Sequence, residues 1–64
     1  MIWLNKGEKD GTQASCGCDS FDDVENLPAF AQAHHLKVGS DCLCIETSEV
    51  YMMKSDKSWK KLGG

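Results

Sequence analysis

The sequence predicts a small α+β domain made of an extended N-terminal arm, one short helix and a three-stranded antiparallel β-meander. The arm is predicted by residues 5–20, which hold three Gly and nothing apolar except Ala14, Cys16 and Cys18. The helix is predicted by Leu27, Phe30, Ala31 and His34, which fall on one stripe at helical spacing. The meander is predicted by three apolar, β-prone runs after Gly39, separated by short polar turns. The boundaries that follow are 1–20 for the arm or loop and 21–64 for the helix plus meander.

The arm begins with Met1-Ile2-Trp3-Leu4. A hydrophobic tip on a polar tether is the composition of a segment that docks, either on its own domain or on a neighbour, so Ile2, Trp3 and Leu4 are candidate partner-binding residues. The run is far too short for a signal segment or a membrane span. The reading is therefore of a protein made in the cytoplasm, with no membrane partner.

At Ser20 the character changes. Ser20-Phe21-Asp22-Asp23 resembles a capping box and predicts a turn of helix through Val24 and Glu25. Pro28 disfavours helical geometry at Leu27 and suits the first position of a new helix, so the main helix is predicted from Pro28 to about Leu36. Gly39 stands where a left-handed C-terminal cap is wanted.

The strands are predicted over Cys42–Glu46, Glu49–Met53 and Ser58–Leu62, with turns near Thr47-Ser48 and Ser55-Asp56. Pairing Glu46 with Glu49 and Lys54 with Lys57 puts Leu43, Ile45, Val50, Met52 and Trp59 on one face, as a core wall for Leu27 and Phe30. Cys42, Cys44, Tyr51 and Met53 then form a second apolar face, which must be covered by the arm, another subunit or a larger partner. Tyr51 and Met53 join the candidate partner-binding residues.

Sixty-four residues bury only about 60% of the surface their unfolded chain exposes, so a disulfide, a metal or a partner is expected to supplement the core. Four cysteines offer the first two. Cys16-Gly17-Cys18 and Cys42-Leu43-Cys44 could close a tetrahedral zinc site, since residues two apart in a strand share a face. The spacing is not the Cys-x-x-Cys of zinc ribbons, and within one pair the Cα atoms lie about 6.5–7 Å apart, near the limit for a disulfide. Small hydrophobes beneath a covering layer, metal ligands and a bridge between the pairs all remain open, and the leading expectation is no cofactor, with Cys16, Cys18, Cys42 and Cys44 as zinc ligands the alternative.

Residues 1–49 carry three Lys against nine acids, −6, and residues 50–64 carry four Lys against one acid, +3. There is no Arg, and with the net charge of −3 this argues against nucleic acid as a partner. His34 and His35 are adjacent on the helix and point about 100° apart, so they do not share a ligand. No nucleophile–base arrangement is legible, and a non-enzymatic role is expected.

The C-terminal stretch carries a resemblance. Leu27-Pro28, then Val38-Gly39-Ser40-Asp41-Cys42-Leu43-Cys44-Ile45, Thr47-Ser48-Glu49-Val50-Tyr51-Met52, Lys54-Ser55-Asp56 and Ser58-Trp59-Lys60 resembles a pattern of small virion proteins of tailed phages and prophages. It covers residues 27–62. The resemblance implies a structural or adaptor subunit of a phage-like particle, in the head, the tail or a tail-derived contractile device, contacting other particle proteins in several symmetric copies. The chain departs from the pattern at Lys57, where the turn more often has Gly, and in the Cys16/Cys18 pair. Two rivals belong to other classes: a free-standing zinc module, and a small regulator that blocks a host enzyme with its sticky face.

Overall fold

The computed structural model describes residues 1–63; Gly64, the last residue of the predicted domain, lies outside them. Five strands form one mixed sheet in sequence order: β1 (Ile2–Leu4), β2 (Ser15–Cys18), β3 (Asp41–Cys44), β4 (Glu49–Met53) and β5 (Trp59–Gly63). β1 runs antiparallel to β2, β2 parallel to β3, and β3–β4–β5 is the antiparallel meander the sequence predicts. Parallel neighbours need a crossover, and residues 19–40 supply it with the helical segment.

The extended arm is overturned. Residues 2–4 and 15–18 are strands of the same sheet, joined by a loop with Gly7 and Gly11 at positive φ. The loop reads as featureless because β1 is only three residues long and β2, Ser-Cys-Gly-Cys, has no β-branched residue. Their pairing is set by the rest of the sheet rather than by local preference.

The helical segment begins with the predicted turn after Ser20, but no break separates that turn from the main helix. A 3₁₀ turn over Phe21–Asn26 runs without a break into α1 (Leu27–Ala33). The Asp23 carboxylate reaches back to accept the Ser20 N–H (3.3 Å), as the capping-box reading expects, and it also accepts from the Ser20 hydroxyl (3.4 Å). Leu27 adopts helical angles (φ −58°, ψ −43°) despite preceding Pro28, and its side chain is wholly buried, so packing overrides the local preference. Pro28 itself occupies the first turn, where its missing N–H leaves no bond unmade.

The cap is His35, not Gly39. His35 takes φ 54°, its N–H donates to the Gln32 carbonyl (3.3 Å), and the Leu36 N–H donates to the Ala31 carbonyl (2.9 Å). This is a Schellman motif, closed by contact between buried Leu36 and Ala31, and it ends the helix three residues before the predicted limit. Gly39 is left-handed (φ 91°) for another purpose, turning the chain into β3 while its N–H donates to the Met53 carbonyl. Ser40 next to it is fully buried, and its hydroxyl accepts the Ala14 N–H (3.1 Å) and donates to the Lys37 carbonyl (2.7 Å), tying together the chain entering β2 and the chain entering β3.

The β3–β4 register pairs Cys44 with Glu49, so the hairpin loop is Ile45–Ser48 with Ser48 at φ 57°, two residues longer than the predicted turn. The turn after β4 places Lys57 at φ 74°, the left-handed position for which glycine is the usual residue.

Candidate functional site

The sheet has a covered face and an open one, and the sequence reading assigns them the wrong way round. Leu43, Val50 and Met52 do share a face, and Cys42, Tyr51 and Met53 the other, but the helix covers the second set. Cys42, Cys44, Tyr51 and Met53 are buried with Leu27, Ala31 and Leu36, whereas Leu43, Ile45 and Met52 are 46%, 55% and 36% exposed. The partner-binding set therefore divides. Tyr51 and Met53 are core, Ile2 and Leu4 are half-buried against the same core, and Trp3 alone of the five lies on the open face. Of the predicted core wall, Trp59 does pack on the helix side, paired with Met53.

The inversion has a cause in β2. Parallel pairing sets Cys16 beside Cys42 and Cys18 beside Cys44, so all four thiols lie in one layer and Gly17 alternates to the other face. A glycine toward the helix would leave a hole. On the open face the hole is filled, because the Trp3 indole lies over Gly17 so closely that a Cβ there would meet Cε2 and Cζ2 at 2.8 Å.

The thiol layer is apolar in character. Cys16 is held at about 11 by burial first and by the negative charges of Asp41 and Glu8 next. Burial also pushes Cys18 up, and Cys42 still further. Cys44 goes the other way: burial raises it, but the Thr47 hydroxyl and amide, the Cys18 thiol and the Glu46 amide together stabilise its thiolate and bring it below the ordinary value. All four cysteines are free. Although the four predicted zinc ligands do converge on one face, among the described residues no three Cys, His, Asp or Glu side chains are arranged to hold an ion.

The histidines have structural places. His34 stacks on Phe30 (ring centroids 4.3 Å apart) and its Nδ1 lies 2.8 Å from Asp10, pinning the β1–β2 loop to the helix. Glu49 accepts bonds from the Tyr51 hydroxyl (2.8 Å) and Lys61 (2.9 Å), Lys61 first and Tyr51 second among the causes that lower its carboxyl to about 2.

The open face has an ordered layout. Register places Trp3, Gly17, Leu43 and Val50 in one row across β1 to β4. The neighbouring row holds Ser15, Asp41, Met52 and Lys60 across β2 to β5. Leu62, at a bulge opposite Val50 and Tyr51, is 56% exposed beside them. The face thus carries an apolar stripe edged by one acid and one base. The signal for it was present in the sequence as two alternating apolar sets; what was missing was the phase of β2, which decides the set that the helix covers.

No family model, curated protein or solved structure matches the chain.

Proposed function

We propose that this protein is a non-enzymatic structural or adaptor subunit of a phage-like particle, working through protein–protein contacts on the open face of its sheet. The observation that carries the proposal is the row Trp3–Leu43–Val50 with Met52 beside it, half-buried and exposed apolar side chains on a face that no element covers among the described residues. Two further points support it. The resemblance to small virion proteins spans residues 27–62, which contribute Leu43, Val50, Met52 and Lys60 to that face. A 64-residue domain whose buried set includes four cysteines and two alanines gains burial from neighbours in a repeated assembly. On this reading the chain is made in the bacterial cytoplasm and carried in the virion or tail-like particle.

The test is co-purification. The chain is produced together with its particle, and particles are isolated on a density gradient. Wild type is expected in the particle fraction, and Leu43→Lys, which replaces an exposed side chain and keeps the far-UV spectrum, is expected to be lost from it. Wild type confined to the soluble fraction, or Leu43→Lys retained in particles, would overturn the proposal.

A further inference from the structure

We infer that the open face pairs with the same face of a second copy about a two-fold axis running along β4. The inference rests on the docking role given to that face above, and names its partner.

The argument is charge placement. Asp41 on β3 and Lys60 on β5 are both in register with Met52 on β4, so they flank it symmetrically, one strand to each side. Neither takes part in an ion pair among the described residues. A two-fold rotation about an axis over Met52 and parallel to β4 exchanges the positions of β3 and β5. It therefore sets Asp41 of each copy opposite Lys60 of the other and lays Met52 and Val50 on their own counterparts. The surface is self-complementary, which is the condition for an isologous dimer. Sheets packed face to face run within about 30° of one another, which an axis near the strand direction satisfies. Trp3, two strands beyond β3, then lies outside the overlap of the two copies.

Size sets the strength. With the axis on β4 the strands that overlap are β3, β4 and β5 of each copy, and three strands at about 4.8 Å spacing and about 15 Å of strand length give a footprint of roughly 200 Å², below that of standard interfaces. A standard interface would take about 800 Å² from each partner, out of a total surface of 4077 Å². The pairing is thus weak, to be read toward about 1 mM.

Charge exchange tests it by sedimentation at physiological salt. Asp41→Lys and Lys60→Asp each turn both cross pairs repulsive and are expected to weaken dimerisation at least about tenfold. Mixed in equal amounts they form a heterodimer in which both pairs are again opposite in sign, so association is expected to return. Where a reversal disturbs the far-UV spectrum, Asp41→Asn and Lys60→Gln take its place and must each weaken the dimer. Wild type monomeric to about 1 mM, reversals without effect, or a mixture no better than its components would overturn the inference. A chain monomeric in solution yet present in purified particles overturns only the self-pairing; a dimer absent from particles overturns only the particle role.

Discussion

Raising the pH should destabilise this protein through its own core thiols, and the size of the effect follows from their burial. Cys16 is 2% exposed, and its thiol is raised from 9.0 to about 11. The folded state holds this proton to higher pH than the unfolded state does, so its contribution is intact below pH 9 and is lost as pH rises toward 11. By pH 10.5 the loss from Cys16 alone is about 2 kcal/mol, against a total stability of about 3–10 kcal/mol for a chain of this length. Cys18 and Cys42 are raised too and add to the loss, while Cys44, lowered, offsets part of it. The assay is urea unfolding of reduced protein from pH 7.5 to 10.5, for wild type and Cys16→Ala, with thiolate absorbance near 240 nm followed in parallel. The variant should lose about 2 kcal/mol less than wild type over that interval. A zinc-thiolate centre behaves in the opposite way: its sulfurs are already ionised at pH 7, it is flat in alkali, and it fails in acid and with chelator. Thiolate absorbance at pH 7.5 with a flat alkaline profile would refute the apolar-core account and restore the metal.

Two substitutions test the joints of the fold. Ser40→Ala leaves the buried Ala14 N–H without its acceptor and should lower stability by about 1–3 kcal/mol in urea unfolding, although only one oxygen is removed. Lys57→Gly relieves a left-handed lysine at φ 74° and should raise stability by about 0.5–1 kcal/mol, seen as an upward shift of a few degrees in Tm.

The meander was legible because its three strands are written locally, each with its own alternation and its own polar turn. The capping box at Ser20 and the stripe through Leu27, Phe30 and Ala31 are local in the same sense. What the sequence hides is non-local. β1 and β2 lack strand composition and exist because β2 pairs in parallel with β3, across the crossover of residues 19–40. The helix end is hidden because His35 performs a task usually left to glycine, while Gly39 is required four residues further on, where the chain folds back toward Met53. The candidate site suffered from the same gap. Period-two alternation sorts side chains into two sets but does not say which set the helix covers, and the deciding residue, Gly17, lies in the segment read as an arm.

That choice of face shapes what the molecule can do. Beneath the helix the sheet offers small thiols, and the helix brings Leu27, Ala31 and Leu36 to meet them, so the core is filled with few large side chains. The bulkier β-formers are left outside. Leu43, Ile45 and Met52 are each a third to a half or more exposed, and fully burying such a side chain contributes about 1.5–3 kcal/mol. For a domain whose whole stability is about 3–10 kcal/mol, the burial withheld from these three is of the same order as everything the isolated chain retains. Cysteine is itself among the residue types most often buried, so what sets this fold apart is the joint exposure of Leu43, Ile45 and Met52. On the proposed pairing, the Asp41–Met52–Lys60 row lets a second copy complete the open face.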